Sequence, residues 1–339
     1  MDIRISSAGS ALPGPSVDNP TLARRFGMEP LWEQWIDVFI GTATRHLAVD
    51  LATGEIRSSL AELGETAARR ALTAAGLTPG DVDVVVLGTA TPDKLMPATV
   101  NVIADRLGID GVPTYQLQSG CCGAVQALDV ARHMLMGGQC RTALVIGGDV
   151  CAKFFDLGVD LRKLPPSQLV NVVLFGDGAG AAVLSADPAS PGPVLRCVIN
   201  RLVGLNRPPG QVLDWFGPVD RNAERPAVSE DYKAIEESVP LMAAEILKEL
   251  LDAVGWAKAD LDFLLPPQLS GRMTERITRE LAVDAVPVNC VEQTGNTGNA
   301  LPFLQLERLL GRMTAGQRAV CVAIESSKWI KAGFAVEKA

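Results

Sequence analysis

The chain has 339 residues, 47% hydrophobic and 21% charged, with a formal net charge of −8. That is ample apolar material for a large core, in a length suited to two units of about 150 residues. The acidic balance disfavours nucleic acid and anionic membrane surfaces as partners.

Seven cysteines without metal-type spacing, and only two histidines, argue against a disulfide framework or a metal site, and for a reducing cytoplasm. The opening MDIRISSAGSALPGPSVDNP has no apolar run of the signal-peptide kind. No segment nears the roughly 20 apolar residues of a membrane span.

In chain order, LWEQWIDVFIGTATRH (31–46) comes first, carrying Trp35, Phe39 and His46. AARRALTAAGL predicts a helix, and DVDVVVLGTAT (81–91) a buried strand. A glycine-flanked thiol pair, Cys121 and Cys122, follows in TYQLQSGCCGAVQAL, at the mouth of a helix closed by Gly137 and Gly138. Exposed N–H groups and the helix dipole favour a thiolate there. The other reading of the pair is two small buried hydrophobes. His133 lies on the same helix, 12 residues beyond Cys121, or about 18 Å along the axis and out of hydrogen-bond reach.

TALVIGGD (142–149) reads as a second buried strand. FGDGAGAA (175–182) lacks the helix and later acid of a dinucleotide loop, and the lysine and hydroxyl of a phosphate loop. It is taken as a packed glycine turn, with Asp149 and Asp177 serving structure or a dimer interface. SADPASPGPV (185–194) is a proline-rich boundary. Residues 200–232 read as an irregular insertion, long enough for a pocket lid or dimer loop.

The second half repeats the first. GDVDVVVLGTATP matches KADLDFLLPPQ, and SGCCGAVQALDVARHMLMGGQCRTALVIGGD matches TGNTGNALPFLQLERLLGRMTAGQRAVCVAIES. This register sets Cys121 opposite Asn296. Alternating strands and helices in one duplicated unit predict an α/β protein with halves at 1–185 and 195–339. Packed about a pseudo-twofold axis, the Cys121 turn and the GNTG turn meet in one pocket.

Four stretches carry a resemblance: TATPDKLMPATVNVIADRLG (89–108), LQSGCCGAVQAL, LFGDGAGAAVL (174–184) and GNTGNALP (295–302). Together they resemble the thiolase superfamily and, within it, β-ketoacyl-acyl-carrier-protein synthase III, over nearly the whole chain. The resemblance implies a five-layered αβαβα sandwich of two similar halves, usually a homodimer. The implied chemistry is acyl transfer through a cysteine thioester, with no cofactor, on substrates carried by acyl carrier protein or CoA.

The resemblance assigns the nucleophile to Cys121 and the catalytic asparagine to Asn296, and implies an oxyanion hole from the amides of Cys121 and Ser327. Cys122 takes a position usually held by a small residue. The family's histidine position, in a motif resembling Pro-His-Gln-Ala-Asn, is Pro267 in LLPPQLSG (264–271). Proline offers neither a donor nor a base. Glu292 and Glu325 are therefore the candidate bases. Arg272, Arg276 and Arg279, on one helical face, are candidates for docking an acidic carrier protein. Trp35 matches a tryptophan at the pocket entrance, but Phe39 stands where the family has an arginine, which favours a carrier-protein substrate over CoA.

Without the histidine, decarboxylation of a malonyl unit is not expected. Acyl transfer to a β-ketoacyl thioester is, as in relatives that form tetronate rings from a glyceryl thioester in polyketide pathways. The alternatives are an acyltransferase to a hydroxyl or amine, and a non-catalytic partner subunit.

Overall fold

The computed structural model describes residues 1–154, 157, 158, 160–164, 166–215 and 228–339. Part of the expected 200–232 insertion, residues 216–227, lies outside the described residues.

Ten strands form one sheet: β1 (Arg4–Ala11), β4 (Val84–Gly88), β5 (Thr114–Leu117), β6 (Thr142–Asp149), β7 (Gly178–Ser185), β8 (Val194–Leu202), β11 (Phe263–Leu265), β12 (Val286–Pro287), β13 (Arg318–Glu325) and β14 (Ile330–Glu337). Two short ladders stand apart, β2 (Val17–Asp18) with β3 (Thr44–Arg45) and β9 (Gln211–Leu213) with β10 (Val228–Glu230). The helices are α1 (Asn19–Phe26), α2 (Pro30–Trp35), α3 (Leu60–Ala75), α4 (Thr99–Leu107), α5 (Gly123–Met136), α6 (Pro166–Leu174), α7 (Tyr232–Val254), α8 (Gly271–Leu281), α9 (Val291–Thr294) and α10 (Leu301–Leu310).

The strand order β12-β11-β13-β14-β8-β1-β7-β6-β4-β5 mirrors itself about the β8–β1 junction. On one side β5, β4 and β6 run parallel and β7 antiparallel; on the other β12, β11 and β13 run parallel and β14 antiparallel. Alternate residues of each strand face opposite layers, as the two-residue period requires. Val84, Val86, Ala143 and Val145 pack inward on α5 and α10, whereas Val85, Leu87, Leu144 and Ile146 pack outward on α3 and α4. In the second half Phe263, Ala319 and Cys321 face the same central helices, while Leu264, Val320 and Val322 face α7 and α8. The result is the expected five-layered αβαβα sandwich, with α5 and α10 as its middle layer.

The expected strand and helix segments are present, TALVIGGD coinciding with β6. One register differs. α5 starts at Gly123 and α10 at Leu301, each after a 3₁₀ turn, Gly120–Cys122 or Gly298–Ala300. These element starts set Cys121 opposite Asn299, three residues beyond the Asn296 of the sequence register. Among the described residues no helix is long and apolar enough to cross a membrane.

Candidate active site

Leaving β5, the chain tightens into the Gly120–Cys122 turn and enters α5 directly. Cys122 is fully buried, its thiol directed to the Ile330 carbonyl at 3.6 Å. Cys121 is partly exposed and opens onto two cavities, of about 260 Å³ and about 760 Å³. The smaller contains Phe39, Pro267, Gln268 and Asn296 in its wall. The larger contains Ser119, Asp149, Cys151, Asn171 and Glu325.

Glu325 ends β13 and is 1% exposed. Its Oε2 accepts the Cys121 amide, and its Oε1 accepts the Ser327 amide at 2.5 Å. Gly120, at φ +51°, admits this carboxylate, with which any Cβ would collide. The two amides expected to serve as oxyanion donors are each bonded to the Glu325 carboxylate, one to each of its oxygens. Neighbouring amides are also engaged: Cys122 with the Ser119 carbonyl at 3.2 Å, Gly123 with Gly120, and Ala124 with Asn299 Oδ1 at 2.8 Å.

The helix mouth thus opposes a thiolate at Cys121. Burial pushes the Cys121 thiol well above its ordinary range, and the Glu325 and Asp149 carboxylates push it further. This opposes the favourable effect of the helix dipole. A carboxylate sits where the dipole's positive end was expected to act, and desolvation disfavours the anion.

Asn296 lies in the wall of the smaller cavity and is fixed by its backbone. Its N–H donates to the Leu174 carbonyl at 2.9 Å, and its carbonyl accepts from Gly176 at 3.1 Å. Its Oδ1 accepts the Gly298 amide at 3.0 Å. Asn299, which the sequence reading passed over, ties the halves together. Its Oδ1 accepts the Ala124 amide, while its Nδ2 and its amide both donate to Asp149 Oδ2 at 2.8 Å. Asp149 Oδ1 accepts from the Ala90 amide at 2.7 Å, from the Thr91 amide and hydroxyl at 3.0 Å and from the Thr89 hydroxyl at 3.0 Å. Asp177 accepts the amides of Ala48 and Ala152 and is raised to about 6 by burial. Both aspartates are held inside the fold, as buried acceptors of backbone donors.

Neither histidine borders either of the two cavities at Cys121. His133 is exposed on α5 beside the Asp129 carbonyl at 2.8 Å, and His46 sits against the carbonyls of Pro13 and Gly14. Pro267 does face the smaller cavity, its carbonyl accepting the Thr274 hydroxyl at 3.0 Å. Gln268 Oε1 accepts the amides of Cys290 and Val291 and so anchors α9.

Several expected site residues stand elsewhere. Glu292 is exposed on α9 and faces neither cavity, because that single helical turn points its side chain outward. Trp35 packs half-buried on the cluster around Leu22 and Ile36, and Phe39, one helical turn on and 65% exposed, stands at the cavity mouth instead. Arg272 staples that mouth, donating to the Asp37 and Val38 carbonyls at 3.1 Å and pairing with Glu275. Arg276 pairs with Glu280 and Glu236. Arg279 is exposed on the same face, and no ion pair involves it among the described residues.

A polar group with no motif to announce it lies between the two cavities. Glu230, opposite Gln211 in the β9–β10 ladder, accepts from Gln211 Nε2. The Tyr232 hydroxyl donates to Asn171 Oδ1 at 2.5 Å. Burial raises Glu230 against the hydrogen bonds of Tyr232, Gln211 and Asn171, and nearby Glu325 raises it further.

Comparison with known proteins fits this geometry. Residues 115–200 match the family model of 3-oxoacyl-[acyl-carrier-protein] synthase III. The β-ketoacyl-[acyl-carrier-protein] synthase III of Neisseria meningitidis is 32% identical over 329 residues, 95% of each chain. Among solved structures, AbyA1, a tetronic acid condensing enzyme, is 64% identical over 99% of each chain with a TM-score of 0.96. The synthase III of Pseudomonas aeruginosa is 26% identical over 98% of each chain with a TM-score of 0.83.

Proposed function

Because this chain belongs to the β-ketoacyl-acyl-carrier-protein synthase III family of acyl-transferring condensing enzymes, we propose that it joins a Cys121-bound acyl group to a β-ketoacyl thioester without decarboxylation. The observation that carries this reading is the Glu325 carboxylate on the Cys121 amide, in a site that neither histidine borders. The likeness to a tetronic acid condensing enzyme supports a glyceryl thioester as donor and a tetronate ring as product.

In the first step the Cys121 thiol passes its proton to Glu325 as sulfur attacks the donor carbonyl. The protonated, neutral Glu325 binds the two amides less strongly, and Cys121 and Ser327 N–H turn to the oxyanion. The carrier thiolate leaves and takes the proton, and the acyl group remains on Cys121. In the second step the acceptor carbon, already acidic between two carbonyls, loses a proton to Glu325. The carbon attacks the Cys121 thioester, a C–C bond forms, the C–S bond breaks, and the thiol recovers the proton. Asn296 donates to the acceptor thioester oxygen. A donor hydroxyl then attacks that thioester, forming the C–O bond and releasing the second carrier thiol.

In the same reading the halves 1–185 and 195–339 are a duplicated unit, the protein is a homodimer, and Arg279 with Arg272 and Arg276 receives an acidic carrier protein. Incubation with a glyceryl-carrier and a β-ketoacyl-carrier thioester tests the reaction. The expected product contains both acyl units with no carbon dioxide released. Malonyl decarboxylation and condensation, with the β-ketoacyl acceptor left unused, would contradict it.

A further inference from the structure

The wall that joins the two cavities beside Cys121 holds a buried carboxylate. Glu230 Oε1 accepts from Gln211, while Oε2, inaccessible to solvent, receives no well-aligned hydrogen bond among the described residues, with the Tyr232 and Asn171 side chains within reach of the carboxylate. Tyr232 and Asn171, bonded to each other, flank it. Glu230 and Tyr232 border the smaller cavity, Asn171 the larger, and Gln211 and Cys121 both. An unpaired buried carboxylate oxygen is costly, and a hydroxyl donor removes that cost. Glu325 also lies close enough for its charge to act on Glu230, and the two acids line the two cavities that meet at Cys121.

We infer that Glu230 is a specificity-determining residue: it accepts a hydroxyl of the acyl donor and, with Glu325, turns away donors that carry a carboxylate. The inference rests on the acyl-enzyme reading above and adds to it how the donor is chosen. A hydroxyacyl group offers an O–H to Oε2 where a plain acyl group leaves it unpaired. A malonyl group brings a further carboxylate into a site that already holds Glu230 and Glu325, which like-charge repulsion opposes. Gln211, held in ladder register, sets the carboxylate, leaving Oε2 as the acceptor that remains.

The test measures rates of adduct formation on Cys121 by intact mass, with glyceryl-, propionyl- and malonyl-pantetheine, for wild type, Glu230→Gln and Glu230→Leu. Wild type is expected to load glyceryl roughly 10- to 100-fold faster than propionyl. That preference collapses in Glu230→Leu and survives in part in Glu230→Gln, which keeps an acceptor. Malonyl loading is expected to rise about 10-fold or more in Glu230→Gln, whose fold is checked by an unchanged melting curve. An equal glyceryl-to-propionyl ratio in all three proteins, or unchanged malonyl loading in Glu230→Gln, overturns the inference while leaving the acyl-enzyme intact. Absence of any adduct in wild type overturns the acyl-enzyme reading and the inference with it.

Discussion

The Glu325 carboxylate accepts the amide of Cys121 across 204 residues of chain, and its other oxygen accepts the amide of Ser327. One side chain from the second half of the fold therefore occupies the donors that an acyl oxyanion needs, beside the sulfur that would bear the acyl group. In the proposed mechanism the resting plug and the proton acceptor are the same group.

Replacing Glu325 with Gln separates these roles. Condensation is expected to fall roughly 100-fold or more, the usual contribution of a positioned base. Alkylation of Cys121 by iodoacetamide at neutral pH is expected to accelerate, because loss of the carboxylate charge makes the thiolate easier to form. A parallel drop in both rates would mean that Glu325 only maintains structure.

The pH dependence of alkylation in the wild-type protein follows from the same burial. The Cys121 thiol is raised, so its thiolate fraction is small at neutral pH and climbs with alkalinity. Alkylation is expected to go on rising past the ordinary thiol range, and the Glu325→Gln profile to lie at lower pH. A plateau reached below pH 8 would show a pre-formed thiolate instead.

The two asparagines are expected to fail differently. Asn299→Ala strips partners from the buried Ala124 amide and from Asp149, a loss of about 2–3 kcal/mol of stability read by denaturant melts. Among the described residues the Asn296 side chain makes one hydrogen bond, accepting from the Gly298 amide. Asn296→Ala is expected to melt near wild type while its condensation rate drops and acyl loading persists.

Trp329 holds the turn that carries Ser327. It is 1% exposed at φ +61°, its indole N–H donates to the Pro208 carbonyl at 2.7 Å, and the Arg207 guanidinium lies 3.9 Å from its ring. Gly210 N–H to the Ser326 carbonyl clamps the same turn. Trp329→Ala is expected to cost roughly 3–5 kcal/mol in a denaturant melt, from lost burial and the cavity left behind.

The architecture was legible because buried strands announce themselves. VVVL and TALVIGGD read as sheet interior, and their alternate residues do face two helical layers. The thiol pair was legible from its flanking glycines. Glu230 and Asn299 were not, since they reach the site through tertiary packing that no local spacing encodes. Glu325 was a candidate base in the sequence, and β13 places it against Gly120. Glu292 looked equivalent to it in sequence, but the one-turn helix α9 leaves its side chain in solvent.

The account stands most directly on one mass measurement. Wild-type protein exposed to a glyceryl-carrier thioester is expected to gain a single glyceryl group, lost from Cys121→Ala and discharged when a β-ketoacyl thioester is added. An adduct that persists in Cys121→Ala, or one that the β-ketoacyl thioester leaves in place, would contradict it.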